Sequence, residues 1–290
     1  MPHQASNPLT AVPGPERTTR GYLQAIGVAD LPPAVCPFDP GYDLGTLVGH
    51  LEQSGHLMTR LKISMACWLV AAESVTRAKV RAATDRGVAT VSGGGPFEVA
   101  AAQGRLPEFL DLCAEIGFTR VEAGEGFAGA AVQPPQVLAL ASARGLQVQY
   151  ELGAKHDGPF DTASLDALIR TGNAWLDAGA EELVVEAREH AVGVGLFDAD
   201  GQCQFDLADR LVAAFDLSRL VFEAPDKPSQ FALLDHFGPA VQLSNVRLEE
   251  ILRVEIYRRG LHSDAFSKPN LRPATPAQLV AASAPSSTSG

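Results

Sequence analysis

Cysteine is scarce in this chain of 290 residues, which has only Cys36, Cys67, Cys113 and Cys203. The four cysteines are widely spaced, and no two of them form a CxxC pair. This arrangement argues against a disulfide framework and against a cysteine-based zinc site. It is typical of a protein kept in a reducing compartment, so we expect a cytoplasmic location.

Cations and long apolar runs are also in short supply. Lys and Arg total 23 against 34 Asp and Glu, a net charge of -11, which argues against a nucleic-acid or anionic-membrane partner. No apolar run reaches the roughly 18 residues of a membrane span, and the N-terminus lacks the apolar core of a signal peptide. We therefore expect no nucleic-acid partner and no membrane association.

The two ends of the chain differ in composition from its middle. Residues 1–20 and 268–290 are rich in Pro, Ser and Thr, which predicts disordered N-terminal and C-terminal tails. Between them, residues 21–267 are expected to form one domain.

One pattern recurs along this domain. A short apolar, β-branched run is followed by a turn and then by a segment of helical length, which is the signature of a βα unit. The runs are "AVCPFD", "TRLKIS", "GVATVSGG", "FTRVEAGEG", "LQVQYELG", "ELVVEARE", "RLVFEAP" and "AVQLSNV". Eight such units predict an α/β fold of the (β/α)8 TIM-barrel type.

The competing interpretation is a doubly wound open sheet, which usually binds a dinucleotide through a GxGxxG turn after its first strand. No such turn follows the first run here. The segment "GVGLFD" comes late, at residues 193–198, and has Asp198 where a glycine is needed. The pattern therefore favours the barrel.

Polar residues stand at the C-terminal end of every predicted strand, where the strands of a barrel share one pocket. They are Asp39; Lys62 with Ser64; Ser92 with Gly93, Gly94 and Gly95; Glu122 with Glu125; Glu151 with Lys155; Glu186 with Arg188 and Glu189; Glu223 with Lys227; and Ser244 with Asn245. A surface designed only for solubility would not place its charges in this way. We predict that the active site lies there.

Carboxylates that converge on one pocket repel each other unless a cation separates them. Mg²⁺ is the usual counter-ion because it prefers oxygen ligands. We therefore predict a Mg²⁺ site among Glu122, Glu151, Glu186 and Glu223. Each of these acids has a structural alternative as a salt-bridge partner, and this alternative is strongest for Glu125 or Glu189.

Cations at the same strand ends predict a small anionic substrate. They are Lys62, Lys155, Arg188 and Lys227. Backbone N–H groups of Gly93, Gly94 and Gly95 are a candidate anion cradle, and Ser244 with Asn245 falls where barrels often bind phosphate. Both the triple glycine and Lys227 have structural alternatives, in the turn itself and at the start of a helix. A metal with a nearby lysine is also suited to an enolate.

Six blocks of this sequence resemble the phosphosulfolactate synthases in order and spacing. They are "GGGPFEVAAAQGRLPEFLDLCAEIGFTRVEAGEG", "ELGAK", "VVEAREHAVGVGLFD", "VFEAPDKPSQFALLDHFG", "VQLSNV" and "YRRGLHSDAF", within residues 33–267. The resemblance implies a Mg²⁺-dependent barrel that adds sulfite to the methylene carbon of phosphoenolpyruvate, and a homo-oligomer. By its position in "ELGAK", Lys155 matches the family's catalytic lysine. We expect Lys155 to move the proton at the substrate carbon, with Lys62 and Arg188 assisting.

The sequence departs from the family pattern in the predicted pocket. The differing positions include Pro40, the turn after Lys62, Gly95, Glu125, Ala154, His190 with Ala191, and His262. We expect the metal and proton-transfer groups to be kept and the anion-binding residues, with His190 and His262 among them, to be rebuilt.

Three interpretations of the function remain open after these departures. The leading one is a carbon–sulfur bond-forming lyase that acts on sulfite and phosphoenolpyruvate. A second is a repurposed enzyme of specialised metabolism that acts on a different acceptor or nucleophile. The third is a non-catalytic barrel with a binding or stress-associated role.

Overall fold

The protein is a closed barrel of eight parallel strands whose order in space is their order in the chain. The computed structural model describes residues 18–128 and 132–271. The first strand pairs with both the second and the eighth, so the sheet has no edge. The predicted (β/α)8 barrel is confirmed, and the open doubly wound sheet is excluded.

All eight predicted strands are present. They are β1 (Val35–Asp39), β2 (Arg60–Ile63), β3 (Ala89–Val91), β4 (Arg120–Ala123), β5 (Gln147–Leu152), β6 (Leu183–Val185), β7 (Leu220–Glu223) and β8 (Gln242–Arg247). Most of their residues are buried because the barrel interior covers one face and the helices cover the other.

The helices surround the barrel in the described part of the chain. They are α1 (Thr19–Ala25), α2 (Leu44–Ser54), α3 (Cys67–Val70), α4 (Glu73–Thr84), α5 (Gly94–Ala102), α6 (Leu106–Ile116), α7 (Pro134–Ser142), α8 (Thr162–Ala178), α9 (Phe205–Phe215), α10 (Lys227–Phe237) and α11 (Ile251–Arg258). Helices α8 and α10 begin with capping boxes at Asp161 and Asp226.

The helical stretch that follows β3 is divided into α5 and α6. Gly104 adopts a positive φ of 65°, which ends α5 as a left-handed residue does at many helix C-termini. Pro107 then stands in the first turn of α6, where its missing N–H costs nothing. The division leaves α5 with its N-terminus at the C-terminal end of β3, next to the strand-end acids.

The N-terminal end of the barrel is closed by an ion cluster. Glu182 lies 2.5 Å from an Nη of Arg60 and also accepts a hydrogen bond from Arg120. All three side chains are buried. Because the polar groups at this end bind one another, the opposite end of the barrel is the end that is left for a ligand.

The predicted tails lie largely outside the described residues. Helix α1 begins at Thr19, where the Thr18 side chain caps it. At the other end, Lys268 forms an ion pair with Asp235 and Leu271 is buried, so residues 268–271 pack against the domain. No helix within the described ranges is long and apolar enough to cross a membrane.

Candidate active site

A cavity of ≈ 600 Å³ opens at the C-terminal ends of the strands. Seven of the eight strands, or the loops that follow them, contribute to its lining, among them Lys62, Gly94, Gly95, Glu122, Glu151, Lys155, Glu186, Arg188, His190, Glu223 and Asn245. Four of these residues, Glu122, Glu151, Glu186 and Glu223, are almost completely buried and are called the acid cluster below.

Lys62 joins two members of the acid cluster across the barrel. Its ammonium nitrogen lies 2.7 Å from Oε1 of Glu122 and 3.2 Å from Oε1 of Glu223. Burial alone lowers the pKa of Lys62, but the attraction of Glu122, Glu223 and Glu151 outweighs this effect and raises the pKa well above its ordinary value. Lys62 is therefore a fixed positive charge on the pocket floor.

Lys155 joins the other two acids from the loop after β5. Gly153, with a φ of 116°, turns the chain so that the side chain reaches back over the strand end. The ammonium group donates to Glu151 and, at 2.7 Å, to Oε2 of Glu186. Burial lowers the pKa of Lys155, but Glu151 and Glu186 raise it above its ordinary value. Lys155 therefore holds a proton at the centre of the site.

The acid cluster carries more negative charge than the two lysines neutralise. Four ionised carboxylates and two ammonium groups leave a charge of −2 on the buried floor. Burial and the charge of Glu186 raise the pKa of Glu151 to about 7. Burial and the charge of Glu223 likewise raise the pKa of Glu186. The site therefore favours a proton or a further cation.

Three of the four acids can share that cation. Oxygen atoms of Glu151, Glu186 and Glu223 all lie within 4.8 Å of one another, and carboxylate oxygens are the donors that hard divalent cations prefer. Glu122 is not part of this group. Its Oε1 accepts from the N–H of Gly94 at 3.0 Å, and its Oε2 accepts from Gln149 at 2.7 Å. The donor set fits a divalent cation with three carboxylate ligands.

The acid cluster also shapes the loop after β6. Oε2 of Glu223 accepts from the N–H groups of Ala187 and Arg188 at 3.0 and 3.1 Å, and Glu186 accepts from Arg188 N–H at 2.6 Å. These bonds hold Arg188 at a positive φ of 56°. Its guanidinium donates to the carbonyl of Lys155 and, among the described residues, has no carboxylate partner. It is free to bind an anion at the cavity mouth.

Asn245 contributes a second group that is free to bind a ligand. It follows Ser244 in β8, has a φ of 55° and lines the cavity. Its buried Oδ1 has no hydrogen-bond partner among the described residues. Because a buried polar atom without a partner is costly, this amide is suited to a bound molecule.

Comparisons with known proteins agree with this geometry. A sequence model of the (2R)-phospho-3-sulfolactate synthase (ComA) family matches residues 35–264. The phosphosulfolactate synthase of Methanocaldococcus jannaschii is 32% identical over 76% of this chain and 88% of its own length. That of Methanothermobacter thermautotrophicus is 31% identical over 62% of this chain and 70% of its own length. The chain belongs to the phosphosulfolactate synthase family.

Membership of the phosphosulfolactate synthase family confirms the predicted class of protein, an enzyme of the carbon–sulfur bond-forming lyase type. A solved structure of 3-hexulose-6-phosphate synthase from Salmonella typhimurium, at 11% identity, covers 79% of this chain and all of its own length with a TM-score of 0.51. At that identity the likeness shows the fold alone.

Two candidate substrate-binding residues lie outside the cavity lining, beside α10. Lys227 is half-exposed, lies 3.5 Å from Asp264 and stacks over the ring of Phe231. His262 packs against the rings of Phe231 and Tyr257 and accepts a hydrogen bond from the backbone of Asp264. Both side chains therefore contact neighbouring residues of the protein and do not line the cavity.

Three further residues at strand ends are not part of the cavity lining. Gly93 packs against the backbone of the loop after β2. A Cβ added to this glycine would lie 3.4 Å from the carbonyl oxygen of Ile63. Ser244 is buried and does not line the cavity. Asp39 forms a buried ion pair with Lys79 at 2.7 Å. Of the predicted glycine cradle, only Gly94 and Gly95 reach the pocket, and Glu122 occupies the N–H of Gly94.

Sequence reasoning did not identify the apolar side of this site. Five large hydrophobic residues, Met65, Leu69, Val99, Phe127 and Val192, line the cavity and are called the apolar wall below. They come from four separate segments and follow no common spacing. One feature of the sequence could have indicated the wall. Each of the five residues follows soon after a strand end, in a segment where a polar residue would not have reduced stability.

We predict that the free energy of unfolding falls as the pH rises. Glu151 has a pKa near 7 when folded and about 4.5 when unfolded, so the folded state binds its proton more tightly. The stability that this proton contributes is complete below about pH 4.5 and is lost through pH 7, on the order of 3 kcal/mol. Lys62 and Lys155 stay protonated over this range because their pKa values are raised.

Urea unfolding in EDTA between about pH 5 and pH 8 measures this effect. Glu151→Gln should flatten the decline, whereas Glu125→Gln should retain it, because Glu125 lies outside the acid cluster. A stability that rises over this range in the wild type would contradict the assignment of a protonated Glu151.

We also predict that Gly94 and Gly95 differ in their tolerance of alanine. A Cβ on Gly94 would lie 2.7 Å from Oε2 of Glu151, whereas a Cβ on Gly95 meets nothing within 4 Å. Gly94→Ala should therefore cost about 1–3 kcal/mol of unfolding free energy, and Gly95→Ala less than about 0.5 kcal/mol. Equal losses in urea unfolding would show that Glu151 is not packed against α5.

Proposed function

We propose that this enzyme adds a nucleophile to the double bond of an enolpyruvate-type acid, with sulfite and phosphoenolpyruvate as the first pair to test. The observation that carries the proposal is Lys155, whose ammonium group lies between two buried carboxylates of a cluster with excess negative charge. Such a lysine keeps its proton until a carbanion forms beside it. The substrate is a small anion, and Arg188 and Asn245 are its proposed contacts.

The residues that would hold a metal are Glu151, Glu186 and Glu223. A divalent cation there, with Mg²⁺ the expected ion, supplies positive charge that stabilises an enolate. The family resemblance implies the same ion. Lys62 pairs with one of these acids, Glu223, and with the remaining acid of the cluster, Glu122.

The bond changes assign a separate task to each residue. The sulfur lone pair of sulfite forms a bond to the methylene carbon, and the electrons of the double bond move to the adjacent carbon and its carboxylate. Lys155 gives its proton to that adjacent carbon. The lysine then regains a proton from solvent. Arg188 holds the anionic group that points to solvent.

Two further expectations have separate grounds, analogy with the family for the first and the widely spaced cysteines for the second. We expect a homo-oligomer, and we expect the protein to work in the cytoplasm. The third interpretation of the sequence, a non-catalytic barrel, does not explain the acid cluster. The cluster reduces the stability of the fold and holds a protonated lysine, and a barrel without catalysis would need neither.

Direct assay tests the proposed reaction. Purified protein with Mg²⁺, sulfite and phosphoenolpyruvate is followed by phosphorus NMR for a phosphosulfolactate signal. We expect turnover that EDTA abolishes and that is at least tenfold slower than that of the Methanocaldococcus jannaschii enzyme assayed beside it. The reason is that Pro40 and His262 stand where the family pattern has a lysine and an arginine, and each lost charge-assisted contact costs roughly tenfold or more. Within the described ranges, Arg188 is the one cation of the cavity lining without a carboxylate partner. An equal rate would contradict this account of the pocket.

Metal binding provides a second prediction. Isothermal titration with Mg²⁺ should show one site, and Glu151→Gln or Glu186→Gln should weaken it by at least tenfold because each removes a ligand charge. Glu189→Gln is the matched control, since Glu189 lines the same cavity but is exposed and outside the cluster. Unchanged binding in the two cluster variants would exclude this site.

The two lysines should differ in their kinetics. Lys155→Ala and Lys155→Arg should lower kcat by about 10²–10⁴-fold with substrate affinity largely kept, because neither side chain can release a proton to the substrate carbon. Arginine differs from alanine in that it retains the positive charge. Lys62→Ala should mainly raise KM. If Lys155→Arg kept kcat while Lys62→Ala abolished it, the roles would have to be exchanged.

A further inference from the structure

The apolar wall is an unusual feature for a site that works on compact anions. Its five side chains are between 44% and 52% exposed, so the described part of the chain leaves about half of each uncovered. All five line the cavity that holds the acid cluster. Exposed hydrophobic residues that gather at one place usually mark a binding site.

The structure holds the backbone of three wall residues, Leu69, Val99 and Phe127, in place at the cavity. Leu69 lies in α3 and Val99 in α5, so both have helical backbones. Phe127 belongs to the loop after β4, where its N–H donates to the buried carboxylate of Glu98 at 2.8 Å. The wall is therefore a preformed surface, and a preformed surface is what an apolar ligand group needs.

Charge is divided unequally between the floor and the mouth of the cavity. Both lysines of the lining are engaged by the acid cluster, so they have no free capacity at the mouth. Arg188 is the remaining cation of the lining within the described residues, and it is one residue from the exposed carboxylate of Glu189. The mouth can hold one anionic group at Arg188, and much of its remaining surface is the hydrocarbon of the apolar wall.

The size of the cavity leads to the same conclusion. One water molecule takes up about 30 Å³ in the liquid, so a cavity of ≈ 600 Å³ has room for about twenty non-hydrogen atoms of the size of a water oxygen. That is more than phosphoenolpyruvate and sulfite contain together. A cavity of this size lies within the range of pockets that enclose larger small molecules.

We propose that the acid bound by this site carries a hydrocarbon substituent of several carbons, which packs against Leu69, Val99 and Phe127. The inference rests on the proposed function for the polar end of the ligand, whose carboxylate lies towards the acid cluster and the metal. A small molecule is favoured over a protein partner because the wall is continuous with the buried floor of one cavity. The hydrocarbon group distinguishes this substrate from a compact triose-like anion.

Binding of a series of 2-oxo acids tests the proposal. Pyruvate, 2-oxobutyrate, 2-oxopentanoate and 2-oxohexanoate are titrated by calorimetry into the protein with saturating Mg²⁺. They share the carboxylate and keto group that an enolate-stabilising site holds, and they differ only in hydrocarbon length. Each buried methylene should tighten binding by up to about fourfold, so we expect 2-oxohexanoate to bind at least tenfold more tightly than pyruvate.

A pair of valine substitutions localises the effect. Val99→Thr keeps the shape of the side chain and replaces a methyl group of the wall by a hydroxyl, so it should reduce the affinity ratio between 2-oxohexanoate and pyruvate by at least threefold. Val70→Thr makes the same chemical change in a residue that is 87% exposed and does not line the cavity, and it should leave the ratio unchanged.

The outcomes separate this inference from the proposed function. Affinities that do not rise with chain length, while pyruvate still binds in a Mg²⁺-dependent way, would overturn the hydrocarbon group and leave the reaction type standing. Binding of every acid without regard to Mg²⁺ would overturn the proposed function and the inference with it. Sedimentation of Phe127→Ser provides a third arm: a change in oligomeric state would show that the wall is a subunit contact and would overturn the inference.

Discussion

The excess of buried negative charge at the C-terminal end of the barrel determines how the site is built. Carboxylates removed from water are stable only when other charges or donors surround them. Lys62 and Lys155 each bridge two of the four acids, and the backbone of the β6 loop donates to Glu186 and Glu223. The lysines, the loop shape and the need for a further cation all follow from this arrangement.

The acid cluster and the loops around it lower the stability of the folded protein at its functional site. Two of the acids have raised pKa values, which means that their ionised forms are unfavourable in the folded protein. Three residues of the cavity lining, Met65, Arg188 and Asn245, have positive φ angles although none is glycine. Strained backbone of this kind is concentrated at functional sites, where surrounding contacts maintain it. The ion cluster at the opposite end of the barrel, around Glu182, shows no such strain and closes the fold instead.

Much of this architecture could be predicted from the sequence because it depends on local patterns. Each strand is a short apolar run, and the residue that ends the run is placed in the pocket by the barrel itself, as with Glu122 and Glu223. Residues farther along a loop are not fixed in this way. Lys227, for example, forms an ion pair with Asp264. Asp39 is an exception among the strand ends, because it pairs with Lys79 on a helix 40 residues later in the chain. The apolar wall was missed for the same reason, since tertiary structure alone brings its four segments together.

We expect a divalent cation, held by Glu151, Glu186 and Glu223, to balance the excess negative charge of the acid cluster. Crystals grown with Mn²⁺ as a substitute for Mg²⁺ test this claim directly through anomalous scattering. We expect a strong anomalous peak between the carboxylates of Glu151, Glu186 and Glu223, with the Lys155 ammonium group moved from its present position between Glu151 and Glu186. A peak elsewhere in the cavity, or none with both ion pairs of Lys155 intact, would contradict it.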